Sequence, residues 1–144
     1  MIIIDTNVLS ELLRPTPAAQ VEAWLSEQDG AEVYFTSVGE AELRYGLAIL
    51  PPGRRHASLS KAINNILDED FRDRILSFDQ RAARAYAAIA ADRRTSGRPI
   101  SQFDCQIAAI ARVNEGAVAT RNSVDFEGCG ITLINPWRHR SVDP

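Results

Sequence analysis

Ile2-Ile3-Ile4-Asp5-Thr6-Asn7-Val8-Leu9-Ser10-Glu11 is the stretch that decides the fold. Three β-branched residues run straight into a carboxylate. Branched side chains pack well on a pleated surface, so the Ile run predicts a buried strand. Asp5 is costly to bury alone and needs donors, a cation or a metal. Thr6 and Asn7 offer turn and capping chemistry before a short helix. The strand therefore delivers one acid to the rim of a sheet, where Glu42, Asp104 and Asp125 are candidates to join it. Read singly, Asp5 is also the kind of residue that caps a turn; the functional reading rests on the set.

The rest of the chain supplies the partners of that strand. A helix over Val8 to Leu13 stops near Pro15. Thr16 as cap and Pro17 at the first helical position predict a second helix, with Val21, Trp24 and Leu25 inward and Gly30 at its end. Val33 to Thr36 reads as strand two. Ser37-Val38-Gly39-Glu40 has capping-box spacing and opens a helix carrying Ala41, Tyr45 and Ala48 on one side and Leu43 and Leu47 beside it. Glu42 lies on that helix, with Gly46 one turn on. Ser58 to Phe71 predicts a further helix, and Ile75 to Phe78 a third strand. Asp79 caps an Ala-rich helix packed through Ala82, Ala83, Tyr86, Ile89 and Ala90. Ser101 to Asp104 opens another helix, which stops at Gly116. Ala117 to Thr120 and Ile131 to Ile134 read as strands four and five, with a turn at Ser123 to Phe126 between them. Tyr45, Phe103 and Phe126 are expected in the core. Strands alternating with helices predict an α/β fold with a mostly parallel sheet.

Composition narrows the function classes. A chain of 144 residues, 45% hydrophobic, suits one folded domain. The formal charge of -3 gives no blanket positive field for nucleic acid. Lys61 is the only lysine, so the basic set is otherwise Arg, which grips phosphates bidentately. Cys105 and Cys129 have neither metal-ligand spacing nor the number of a disulfide scaffold. Asp5 interrupts the apolar start with no basic leader before it, and no apolar run is long enough to span a membrane. A soluble cytoplasmic protein is the expectation.

Asp5 follows strand one, and Asp125 follows strand four. Asp104 stands in a first helical turn, where free N–H groups favour a carboxylate. Glu42 comes from the helix after strand two. Open parallel sheets place ligand sites beyond the carboxyl ends of their strands, near a reversal of strand order. Crowded carboxylates repel, and a divalent cation resolves the crowding. Oxygen ligands indicate Mg²⁺ or Mn²⁺ more than zinc. Such a metal activates water and offsets phosphoryl charge, so phosphodiester hydrolysis is the natural reaction class. Thr6, Thr120 and Asn122 are candidates to orient ligands or water, and Arg121, Arg98 and Arg44 to hold a substrate backbone. Each has a structural alternative: a cap for Asp104, an ion pair with Arg121 for Glu42, an Asx-turn for Asp125, solvated surface for the arginines.

Four segments in order carry a family resemblance. Asp5 to Glu11 resembles the opening motif of PIN-domain ribonucleases. Thr36-Ser37-Val38 with Ala41 to Gly46 resembles the second motif, Phe103 to Ala109 the third, and Thr120 to Phe126 the fourth. The chain is most similar to the VapC toxins of type II toxin–antitoxin pairs, in their FitB-like branch. The resemblance runs from Met1 to about Pro136, giving a PIN-like nuclease domain over 1–136 and a C-terminal tail over 137–144. It implies a three-layer fold around a five-stranded, mostly parallel sheet. It implies Mg²⁺- or Mn²⁺-dependent RNA cleavage, with Asp5, Glu42 and Asp104 at the core acidic positions and Asp125 at the more variable fourth. It implies a homodimer and a larger assembly with a VapB-type antitoxin, whose basic side chain can enter the acidic pocket. It makes Thr6 and Asn7 the polar pair that supports the first acid. Cys105 is assigned no catalytic part.

Other readings fit less well. A haloacid-dehalogenase-type phosphatase would carry a second Asp where Asn7 stands. A receiver domain would carry paired early acids and a late lysine. A non-catalytic PIN-like module that binds RNA or protein is the alternative from a different class.

Overall fold

The structure, a computed structural model, describes residues 1–140. Five parallel strands form one sheet: β1 (Ile2–Ile4), β2 (Val33–Thr36), β3 (Ile75–Leu76), β4 (Ala117–Ala119) and β5 (Leu133–Ile134). Their order is β3-β2-β1-β4-β5, so β1 is central and the winding reverses between β1 and β4. Ile2, Ile3 and Ile4 pair with Ala117, Val118 and Ala119, while Ile2 and Ile3 pair with Val33 and Tyr34 on the other side.

Helices cover both faces: α1 (Thr6–Leu12), α2 (Ala19–Ser26), α3 (Ser37–Ala48), α4 (Arg54–Asn65), α5 (Gln80–Thr95) and α6 (Gln102–Val113). Successive strand residues point to opposite faces. Ile3 and Val118 therefore join Ala82, Ile89, Ile107, Ala108 and Phe126 under α5 and α6. Ile4 and Ala119 join Val8, Leu9, Val21, Trp24, Phe35 and Ile63 under α1 to α4. The result is the expected three-layer α/β architecture.

Local structure differs from the sequence reading at several points; α4, for one, begins at Arg54 and not at Ser58. The second helix begins at Ala19 and not at Pro17, because the buried Glu11 carboxylate accepts the Ala18 N–H at 3.0 Å and fixes the entry there. The cap of α3 is Thr36, not Ser37; its hydroxyl accepts from Gly39 N at 2.9 Å. Gly39 is glycine for a steric reason: a Cβ there would lie 2.4 Å from Cζ of the fully buried Phe35 ring. The helix expected to run to Phe71 is regular only to Asn65. A π turn over Ile66–Asp70 follows, closed by Phe71 N to Ile66 O at 2.9 Å. On α5, Ala83 is exposed and Ala85 packs in its place.

Asp79 and Ser101 cap α5 and α6 as expected, accepting from Ala82 N and Asp104 N. Phe126 is buried, but Tyr45 and Phe103 are 68% and 52% exposed. Both stand beside acids of the cleft described next and line an open hollow with Ala41 and Glu42. Trp137 packs against the α1–α4 side. Of the stretch expected as a tail, residues 141–144 lie outside the described residues. No helix among the described residues is long and apolar enough to cross a membrane.

Candidate metal and phosphodiester site

The reversal of winding between β1 and β4 opens a crevice at the carboxyl ends of the strands. Asp5 sits there because the backbone leaves the sheet at that point. Its N–H still bonds Ala119 O at 2.9 Å, while its carbonyl starts α1. A cleft of about 570 Å³ lies above it, lined by Asp5, Glu42 and Asp104 with Thr6, Asn7, Ser10, Glu11, Arg14, Arg121, Asn122 and Trp137.

Asp5 is held by neutral donors alone. One carboxylate oxygen accepts from Thr6 N at 2.7 Å; the other accepts from Asn7 Nδ2 at 2.9 Å and from the Thr120 hydroxyl at 2.8 Å. Thr120 is fully buried, and its oxygen in turn accepts from Asn122 N at 3.1 Å and Asn7 Nδ2 at 3.3 Å. One hydroxyl thus uses its donor and both lone pairs. Asn7 Oδ1 accepts from Arg121 N at 3.4 Å, tying the β4 exit to α1. The Thr6 hydroxyl donates to Glu42 Oε1 at 2.9 Å, linking α1 to α3.

None of the three acids is in an ion pair among the described residues. Burial pushes the Asp5 carboxyl up to about 6; the Thr120 and Thr6 bonds oppose the rise, and the Asp104 and Glu42 charges add to it. Glu42 is raised by burial, with Thr6 opposing and Asp104 adding. Asp104 is raised by burial, with Ser101 opposing, Asp125 adding and Arg93 opposing. Each of the three therefore carries a penalty for ionising that a nearby cation would remove.

Asp125 does not line the cleft. It is exposed, in a 3₁₀ turn over Ser123–Phe126, and its charge is felt by Asp104. The three arginines separate. Arg121 lines the cleft, its guanidinium carbon 5.2 Å from the Trp137 ring centre. Arg44 pairs with Glu40 at 2.7 Å and bonds Asn64, away from the cleft. Arg98 pairs with Glu127 at 2.9 Å. Glu42 is in none of the ion pairs among the described residues, so the Glu42–Arg121 alternative is not what the structure holds. Sequence reasoning missed Ser10, Arg14 and Trp137, which all line the cleft. For Ser10 the signal was α1 itself, one turn after Asn7; Arg14 lies just past the end of that helix, and Trp137 had no local signal. Burial pushes the Cys105 thiol up to about 11, leaving it inert as a nucleophile.

Every candidate ligand is a carboxylate, the donor set of a hard divalent cation. Among the described residues, no three His, Cys, Asp or Glu side chains stand close enough together to hold one ion. Glu42 is turned to Thr6, and Asp104 lines the same cleft. The donor chemistry fits such a cation, and charge neutralisation is what would draw the acids together.

Residues 2–127 match the PIN domain family model. At 42% identity over 137 residues, the chain is similar to the plasmid stability protein StbB of Pseudomonas syringae pv. tomato, covering 95% of this chain and 99% of that protein. It is 39% identical to the toxin FitB of Neisseria gonorrhoeae over the same share of both. Among solved structures, FitAB bound to an IR36 DNA fragment superposes with a TM-score of 0.91 at 36% identity, covering 99% of this chain and 100% of that one. The chain belongs to the PIN-domain toxins, in the VapC/FitB-like family of toxin–antitoxin proteins.

Proposed function

We propose that this chain is a toxin ribonuclease that hydrolyses RNA phosphodiester bonds with Mg²⁺ or Mn²⁺, and that a cognate VapB-type antitoxin inhibits it. The observation that carries the reading is that Asp5, Glu42 and Asp104, from three separate elements, line one cleft, are in no ion pair among the described residues, and are each raised chiefly by burial. A relative 39% identical is the VapC ribonuclease Y4jK of Sinorhizobium fredii, which supports the reaction class.

Asp5, Glu42 and Asp104 would hold the cation, with Asp125 as an outer acid. When bound, the cation lowers the pKa of a water and offsets charge on the phosphoryl group. The chain's own residues do the positioning. Asn7 and Thr120 fix the Asp5 carboxylate, and Asn122 fixes Thr120. Thr6 keeps Glu42 turned towards the cleft. Arg121, with Arg14 on the same wall, neutralises the RNA backbone at the mouth. A homodimer and a larger assembly with antitoxin complete the proposal, supported by the exposed Tyr45, Ile49, Phe103 and Val124.

Purified protein is expected to cleave RNA only with Mg²⁺ or Mn²⁺, and Asp5→Asn to abolish it. Cleavage unchanged in folded Asp5→Asn protein would place the activity elsewhere. One observation favours a second reading, a non-catalytic RNA- or protein-binding module: the acids do not share one ion's coordination distance. RNA binding without any metal-dependent scission would select it.

A further inference from the structure

Arg93 is a buried cation in no ion pair among the described residues, although its charge is felt by Asp104. It lies in the last turn of α5 and is 6% exposed. Arginine is seldom buried without a partner. Its partners are backbone carbonyls. Nε donates to Arg98 O at 2.5 Å, and Nη1 donates to Asp125 O at 3.0 Å and Glu127 O at 2.5 Å. Cys129 Sγ lies 4.0 Å from the same nitrogen.

These carbonyls come from two loops. Arg98 belongs to the loop that ends at Ser101, the cap of α6, with Asp104 in that helix's first turn. Asp125 and Glu127 belong to the loop after β4. The Arg98–Glu127 ion pair spans the same two loops on the outside. A planar guanidinium reaches all three carbonyls because its donors point in fixed, divergent directions; an ammonium on a flexible stem does not reproduce that fork.

We propose that Arg93 is a positioning residue: it clamps the loop bearing Asp125 to the loop that opens α6, and so fixes Asp125 relative to Asp104. Its consequence for catalysis rests on the nuclease reading above.

The test uses full-length protein, Mn²⁺ and a single-stranded RNA oligonucleotide. Arg93→Lys is expected to lower kcat by about 10-fold or more, in line with losses of outer positioning groups, with KM within about twofold. In an Asp125→Asn background the same substitution is expected to cost nothing further. Hydrogen exchange should quicken at 96–101 and 122–130 only. Equal losses in both backgrounds, or exchange quickened across the whole sheet, would reduce Arg93 to a general stability role and overturn the proposal. Should Arg93→Lys fail to fold, the Arg93 Nε–H of the wild-type protein carries the test. Exchange as slow as the core amides supports the clamp, and exchange at the rate of an exposed arginine overturns it. If Asp5→Asn cleaves like wild type, the nuclease reading fails. The exchange data then decide the clamp alone: quickening confined to the two loops supports it, and unchanged exchange overturns it.

Discussion

Asp5 and Glu11 are buried carboxylates in one short stretch, at 6% and 8% exposure, and the fold treats them oppositely. Glu11 meets Arg14 at 3.1 Å and the Ala18 N–H, and its carboxyl is held below the usual range, chiefly by the Arg14 bond. Asp5 meets only neutral donors and is pushed up to about 6. Burial alone therefore does not set a carboxyl's affinity for its proton; whether a cation meets it does. Glu11 spends its charge on the α1–α2 elbow. Asp5 keeps an unsatisfied demand for positive charge, pointed into a cleft with two more acids.

The largest expected effect is on cleavage. Asp5→Asn removes the charge and should abolish metal-dependent cleavage, a loss in kcat/KM of at least ~100-fold, or roughly 2.7 kcal/mol of transition-state stabilisation. Glu11→Gln should leave metal dependence in place. Comparable losses in both variants, measured on one RNA substrate, would erase the distinction.

The pH response should differ in sign. The folded state holds the Asp5 proton more tightly than the unfolded chain, so its ionisation penalty is fully present above about 6 and gone below about 4. Acidifying metal-free protein across that window should add up to about 3 kcal/mol from this group. Glu42 and Asp104 push the same way. Glu11 pushes the other way, because its stabilisation is lost as its lowered carboxyl protonates. Denaturant melts of wild type and Asp5→Asn between pH 4 and 7 read the difference, and a flat wild-type minus variant curve would contradict it.

Smaller effects sharpen the comparison. Thr120→Val keeps shape but removes the donor to Asp5 and the acceptor for Asn122 N. It should cost about 1–2 kcal/mol of stability and about 10-fold in activity, read by melts and initial rates. Glu11→Gln should lower the thermal midpoint less than Thr120→Val does, since Ala18 N keeps an acceptor and Arg14 is already exposed.

Much of this was legible in the sequence because it is local. An Ile run ending in Asp, and the caps Asp79 and Ser101, are set by residues within one turn. The parallel sheet follows from strand–helix alternation. The cap of α3 went to Thr36 because two adjacent hydroxyl residues offer the same chemistry and only the strand's exit angle chooses. Tyr45 and Phe103 look like core by composition; which helix face stays open is a tertiary fact. Arg98 looked like a substrate ligand because its partner Glu127 is distant in sequence, whereas for Arg44 the i,i+4 spacing from Glu40 on the predicted helix was a signal left unused. Arg93 stands beside Arg94 at a helix end, and nothing local distinguishes the buried arginine from the exposed one. The burial of Arg93 depends on two loops distant in sequence closing over it.

The most direct measurement is calorimetric titration of Mg²⁺, then Mn²⁺, into metal-free protein near pH 6. Wild type is predicted to take up the cation and release protons as its raised carboxyls ionise, with Asp5→Asn binding far more weakly. Folded wild type that takes up neither ion, with or without RNA, would contradict the account, as would equal uptake by both proteins.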